Sequence, residues 1–378
     1  MDFDPTEEQV LFSQMIDRFC QDRYGDGQRS QYLQEPWGFS ADGWQILAES
    51  GVFALPIGED RGGLGGSPAD TVSVMTAFGR KLALEPLLGG PLLAGALLAR
   101  MPESPLVASW IEKIIEGSGH LALAHAEAAA RFKIDQVTTK FSESSNGPVL
   151  DGKKTFVFGA GAASHFIVSA IPHAPADKTT KGQDSIRFFL IDGAADGVVR
   201  TDYRLTDGSI ACELSLSSVP AQALDGRFGD LEAVVATNRI AASAEMVGIM
   251  EMLLDATVDY VKTRVQFGQP LGKFQVIQHR LADLYTSLEM CRSHLAAMAA
   301  ADCACDEGRH QIIGSKAFIS EKARTLAEEA VQLHGGMGVT DELTIGHGLK
   351  RILVLATLWG DPDTDLMTYA QGTASQAV

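Results

Sequence analysis

Arg264-Val-Gln-Phe-Gly-Gln-Pro-Leu-Gly-Lys-Phe-Gln-Val-Ile-Gln-His-Arg-Leu-Ala-Asp283 joins two long apolar-periodic segments through a turn punctuated by glycine and proline. Gly268, Pro270 and Gly272 break a helix, and the apolar period resumes at Phe274, Ile277, Leu281, Leu284 and Tyr285. The spacing therefore predicts that one helix ends and another begins here. The turn gathers Arg264, Gln266, Phe267, Gln275 and Gln278 at one corner. Guanidinium pairs with phosphate and an aromatic ring offers a face, so this set suits a nucleotide diphosphate. The same residues also serve as polar decoration of an ordinary helical hairpin, and spacing alone leaves both readings open.

On either side of the corner the period is helical. Ile240, Val247, Met250, Leu254, Val258 and Val261 trace one face of a long helix, and 284–304 and 310–334 trace two more. Residues 119–228 differ: Leu121–Ala124, Gln136–Phe141, Phe166–Ala170, Ile186–Ile191 and Cys212–Leu216 read as short strands among turns at Asn146-Gly-Pro, Asp151-Gly152 and Asp192-Gly193. Lys178 to Gln183 reads as an exposed loop. Residues 6 to about 35, with Thr6 as cap, and then 41–50, 68–84 and 90–116 read as helices. Arg61-Gly-Gly-Leu-Gly-Gly66 lacks the Gly-Lys-Ser/Thr ending and the preceding strand of a phosphate loop, so it is a tight connection. The predicted division is 1–118 helical, 119–228 a β domain, and 229–378 a helical bundle, which makes the fold class α+β.

With 378 residues, 46% of them apolar, the chain can bury a large core in two or three domains. A net charge of −17 argues against a nucleic-acid partner, since a phosphate binder needs a basic face. No window approaches the roughly 20 apolar residues that a membrane span needs. The opening Met1-Asp-Phe-Asp-Pro carries neither the basic nor the apolar part of a secretory leader. A cytoplasmic protein off the membrane is expected. Five cysteines are scattered as reduced thiols would be, and Cys303-Ala-Cys305 lacks a second ligand pair, so no metal is expected.

The Arg264–Asp283 corner resembles the Arg-x-x-Phe-Gly…Gln corner of the acyl-CoA dehydrogenase family, and further matches follow in order. Trp44-Gln-Ile-Leu-Ala-Glu-Ser-Gly51, Leu55-Pro56, Glu59 and Gly62-Gly-Leu-Gly65 are similar to its N-terminal pattern. Gln332-Leu-His-Gly-Gly-Met-Gly338 is similar to its second cofactor loop. The resemblance implies an N-terminal helical domain, a middle β-barrel-like domain and a C-terminal four-helix bundle. It also implies FAD-dependent conversion of an acyl-CoA thioester to a trans-2-enoyl-CoA, with electron-transfer flavoprotein as acceptor. It assigns Arg264, Gln266, Phe267 and Gln275 to the ADP moiety from one subunit, Gln332, Gly335 and Gly336 to the same moiety from a neighbour, and Arg239 to the substrate side. Such a reaction needs a carboxylate over the α-carbon and a rigidly held flavin.

Two departures stand out. The family's middle-domain Thr-Glu-Pro-Gly-x-Gly-Ser-Asp segment becomes Ala126-Glu-Ala-Ala-Ala-Arg-Phe-Lys133, and its Trp-Ile-Thr-Asn-Gly becomes Phe156-Val-Phe-Gly-Ala160. Where the family places its catalytic glutamates this chain has Trp359 and Asn238. Asp361, two residues past Trp359, and Glu245, about 10 Å along the helix from Asn238, are the candidate bases. Each has a plainer role open to it, Asp361 as a turn or cap residue before Pro362 and Glu245 as a paired helix carboxylate. His279 and His334 are given no catalytic role. These departures resemble bacterial members built as unequal α2β2 pairs acting on bulky acyl-CoAs. The leading expectation is thus an FAD-dependent subunit with a homologous partner or in a homotetramer. The alternative is a non-catalytic partner that completes the flavin site of an active sister chain.

Overall fold

The structure, a computed structural model, describes residues 6–25, 27–145, 147–173 and 182–376. The expected turn at Asn146 and the Lys178–Lys181 part of the expected loop lie outside them.

The chain opens with α1 (Glu7–Arg23), α2 (Gln28–Tyr32), α3 (Ala41–Glu49) and α4 (Pro68–Lys81). Thr6 caps α1 as expected: its hydroxyl accepts from Gln9 N at 3.2 Å while Gln9 Oε1 accepts from Thr6 N at 3.1 Å, a reciprocal box that satisfies two end groups. The predicted helix over 90–116 is in three pieces. A π-helical turn at Gly90–Gly95 leads into α5 (Ala96–Arg100), and α6 (Pro105–Ile115) restarts with Ser104 as cap and Pro105 in its first turn.

Eight strands follow: β1 (Leu121–Ala124), β2 (Lys140–Ser144), β3 (Gly147–Phe158), β4 (His165–Pro172), β5 (Arg187–Asp192), β6 (Val198–Arg204), β7 (Ile210–Pro220) and β8 (Gln222–Leu224). They join in the order β6-β7-β3-β2-β4-β5-β8, with β1 parallel to β4. The expected turn at Asp151-Gly152 is corrected here. Both residues lie inside β3, where the register against β7 slips and Gly152 takes φ +156° against Thr139, so the Asp-Gly pair makes a bulge and not a reversal. Phe166, Val168, Phe189, Leu150 and Leu214 fill the apolar core of this sheet.

The remainder is helical: α7 (Phe228–Thr263), α8 (Gln275–Ala299), α9 (Asp306–His334), α10 (Thr344–Ala356) and α11 (Pro362–Gln376). From Ile240 to Met250 every residue of α7 is buried, as in a central core helix, and Glu245 is the one charge among them.

Two compact units result. One comprises the described parts of Met1–Arg29, Pro68–Ala83 and Arg239–Val378, and the other Ser30–Ser67 with Leu84–Asn238. In the first, Phe19 of α1 stacks on Phe78 of α4 at 6.3 Å, and Arg80 bonds both Asp17 and Glu251.

Candidate functional site

After α7 ends, the corner folds as a miniature hairpin that the periodicity did not foresee. Strands β9 (Val265–Gln266) and β10 (Gln269–Pro270) pair antiparallel through Gln266 and Gln269. The two tip residues, Phe267 and Gly268, both take positive φ, +51° and +82°, as the tightest hairpin loops require. Glycine adopts that conformation freely; phenylalanine is strained in it. Phe267 is also 91% exposed, so neither backbone preference nor burial accounts for it. Strain kept at an exposed aromatic points to a contact outside the chain. Gln278 Nε2 donates to Gly272 O at 2.9 Å and Phe274 meets Phe267 edge-on at 6.2 Å, which fixes the corner. The side chains of Arg264, Gln266 and Gln275 are exposed and make no hydrogen bond among the described residues.

The second glycine loop lies close by in the same chain. At the end of α9, Gly335 takes φ +61°, and nothing stands within 4 Å of a Cβ built at Gly335 or Gly336. The His334 ring stacks on Tyr260 at 4.3 Å, and Tyr260 sits one helical turn before Arg264, whose N–H donates to Tyr260 O at 2.8 Å. Gln332 is exposed beside it. The corner and the glycine loop are thus neighbouring ends of α7 and α9, not two distant turns. Their donor set of guanidinium and side-chain amides, beside the open space at Gly335 and Gly336, fits a pyrophosphate-linked dinucleotide.

Around the expected base position the polar groups are engaged internally. Trp359 holds φ +62°, and its carbonyl accepts from Arg239 Nη2 at 2.6 Å. Lys316 Nζ donates to Gly360 O and Asp365 Oδ2, both at 2.7 Å, and to Ala356 O at 3.2 Å. Asp365 also faces Arg239 at 3.8 Å. Burial pushes both the Lys316 and Arg239 cations below their usual ranges, and Asp365 opposes that. Arg239, then, is an interior arginine that fastens the Trp359 turn.

Asp361 Oδ1 accepts from Thr364 N at 2.7 Å and so caps α11. Glu245 is 1% exposed and receives two bonds from Arg351, Nε at 2.6 Å and Nη2 at 3.0 Å. Asn238 is buried, its amide donating to Leu88 O at 2.8 Å. The Lys316–Asp365 and Glu245–Arg351 pairs escaped sequence reading because no local pattern joins residues 49 and 106 positions apart.

In the sheet unit, the Ala126–Lys133 segment offers no hydroxyl, and its one carboxylate is turned inward. Glu127 accepts from Lys154 Nζ at 2.7 Å, from Thr139 N at 3.0 Å and Oγ1 at 2.7 Å, and from Thr138 N and Oγ1. Lys154, wholly buried, also donates to Ser169 Oγ at 3.0 Å and His125 O at 3.2 Å. His125 binds Ser169 Oγ and Ile134 O, each at 2.9 Å. The isoalloxazine-facing donors expected of this segment are absent, and the residues present do not fit that half of a flavin.

Burial, reinforced by the Lys154 ammonium, lowers the His125 imidazole from 6.5 to about 3. Burial alone would raise the Glu127 carboxyl, but Lys154 and the threonines reverse this and hold it near 2. Above pH 6.5 the contribution of His125 to stability is complete; as pH falls from 6.5 toward 3 the unfolded chain takes the proton first and that contribution is lost. Glu127 adds a loss from 4.5 downward. Urea midpoints should therefore fall between pH 7.5 and 4.5, and His125→Gln should flatten that slope. An unchanged slope in the variant refutes the assignment.

The acyl-CoA dehydrogenase N-terminal domain matches residues 6–118 and the acyl-CoA dehydrogenase C-terminal domain matches residues 230–373. The probable acyl-CoA dehydrogenase YngJ of Bacillus subtilis (strain 168) is 28% identical over 99% of this chain and 97% of its own length. Acyl-CoA dehydrogenase IpdE2 of Mycolicibacterium smegmatis is 28% identical over 88% of each. Among solved structures, a variant of the Tcur3481–Tcur3483 steroid ACAD superposes with TM-score 0.86 at 25% identity, covering 98% of this chain and 99% of that one. The two matched domains together take in most of the chain, the corner and the glycine loop among it, and this chain belongs to the acyl-CoA dehydrogenase family.

Proposed function

We propose that this chain is a subunit of an FAD-dependent acyl-CoA dehydrogenase, that it lends its ADP grip to the flavin of a homologous chain, and that it supplies no proton-abstracting base. The observation that carries this is the engagement of both candidate carboxylates, Glu245 with Arg351 and Asp361 as the cap of α11. When bound, FAD supplies the hydride acceptor for the β-hydrogen of the acyl group. Arg264 pairs with pyrophosphate charge, Phe267 offers a ring face, and the backbone at Gly335 and Gly336 lets phosphate come close without side-chain obstruction. The Tyr260–His334 stack joins these donors into one surface, so a single chain offers the corner and the loop to the same dinucleotide.

The two-chain name of the Tcur3481–Tcur3483 steroid ACAD supports an unequal pair and a bulky acyl group. Electron-transfer flavoprotein is the acceptor in this reading. The base then comes from the sister chain. Co-expression with homologous acyl-CoA dehydrogenase chains should yield a yellow complex that dehydrogenates acyl-CoA, whereas this chain alone should not. A yellow, active protein from this chain alone refutes the proposal.

Arg264→Ala should release flavin from the complex, with at least a tenfold rise in its dissociation constant, because a charge-assisted phosphate contact contributes about 1.5–3 kcal/mol. Flavin absorbance retained through gel filtration checks this, and unchanged retention removes Arg264 from the site.

A further inference from the structure

α7 and α9 meet at two levels of the bundle. At the lower one, Arg239 of α7 and Lys316 of α9 both face Asp365. At the upper one, about five turns further along both helices, Tyr260 of α7 stacks on His334 of α9. The helices therefore run side by side in one direction, and the residues one turn past the lower meeting, Ser243 and Ser320, share a layer on the facing sides. Both serines are 0% exposed, and neither hydroxyl has a hydrogen-bond partner among the described residues. Arg239 Nε has none either.

A helical serine or threonine ordinarily satisfies itself by donating to the carbonyl four residues back. Thr237 and Thr257 on α7 and Thr325 on α9 do so, at 3.1, 2.6 and 3.0 Å. Ser243 and Ser320 make no such bond. Native interiors leave buried donors unmet only rarely, so two hydroxyls and a guanidinium N–H in one layer call for a shared acceptor. The charge beneath them is positive. Among the described residues Arg239 and Lys316 are answered in the interior by Asp365 alone, since Asp361, the next carboxylate to act on Lys316, is half-exposed and caps α11. Burial presses both cations toward their neutral forms, which makes a further negative charge in this layer favourable. Lys316 has its three N–H groups on Ala356 O, Gly360 O and Asp365, so the bonds to such a charge come from Arg239 Nε and the serines. Met246 and Ala323, next along the seam, are 0% exposed, which restricts the occupant to monatomic size.

We propose that Ser243, Ser320 and Arg239 Nε form an internal site for one halide-sized monovalent anion, chloride, held between α7 and α9 above the Arg239–Asp365–Lys316 cluster. The anion accepts one bond from each donor. It balances the two cations that hold the Trp359 and Gly360 carbonyls, so chloride sets how firmly the Trp359 turn is fastened. The site belongs to this chain's own bundle and does not depend on which chain supplies the flavin or the base.

The full chain, assembled as it is purified, is melted in sodium chloride and in sodium gluconate at one ionic strength of about 0.15 M, so that screening is held constant. Wild type should melt at least ~2 °C higher in chloride, since a ligand of the folded state stabilises it by mass action. The S243A/S320A variant, which keeps good helix formers at both positions, should lose that difference. Its melting temperature should lie below that of wild type in chloride and should match or exceed it in gluconate, where alanine leaves no hydroxyl unmet. Crystals grown in sodium bromide should show one anomalous peak between the two serine hydroxyls. A variant more stable than wild type in both salts means that the layer binds nothing, and one less stable in both by an equal amount assigns the layer to water. Either result overturns the proposal. So does an equal chloride response in wild type and variant, which puts the anion elsewhere, or a bromide crystal without the peak.

Discussion

Lys154→Met should destabilise the sheet unit by about 3–5 kcal/mol, the usual result of stranding one member of a buried ion pair. Lys154 is 0% and Glu127 3% exposed at the side chain, so no water replaces the lost ammonium. The loss should exceed that of a simple cavity because Glu127 also holds Thr138 and Thr139, and His125 holds Ile134. Together they tie down both ends of the 126–139 loop. Combining Lys154→Met with Glu127→Gln should recover part of the deficit, since no net charge remains buried. Urea unfolding of the three variants checks both statements. A single-variant loss below about 1 kcal/mol, the usual worth of an exposed pair, would falsify the account.

Arg351→Met should cost a similar amount, about 3–5 kcal/mol, by leaving Glu245 without its two bonds in the interior. The informative comparison is with Glu245→Gln in the assembled enzyme. A general base contributes about 10²–10⁴ to rate, so a turnover drop of that size in Glu245→Gln, with stability intact, would restore Glu245 as the base. The proposed function expects the reverse: lowered stability and turnover within about threefold. Asp361→Asn, at the cap of α11, should likewise spare turnover, and its cost should be the ~1 kcal/mol typical of a lost N-cap.

What the sequence disclosed follows from range. Thr6 with Gln9, the end of α7 near Gly268, and the strands at 121–124 and 166–170 depend on neighbours within a few residues, and all are found where the local pattern puts them. Asp151-Gly152 reads as a reversal because its local signal is that of a turn. Only pairing with β7 and the nearness of Thr139 convert it to a bulge. The hairpin at Phe267 is hidden because phenylalanine is a poor residue for positive φ. The Glu245–Arg351 and Lys316–Asp365 pairs are invisible for a different reason: a charge in a helix looks solvated until the facing helix is known.

The unit that holds Arg239–Val378 also claims Met1–Arg29, at the other end of the chain. α1 finds α4 early in synthesis, through Phe19 on Phe78, yet the stretch from Arg239 that completes their unit follows roughly two hundred residues after α1, about 10–40 s later at ordinary synthesis rates. Over that interval the α1–α4 pair stands without the rest of its unit and is open to a nascent-chain chaperone.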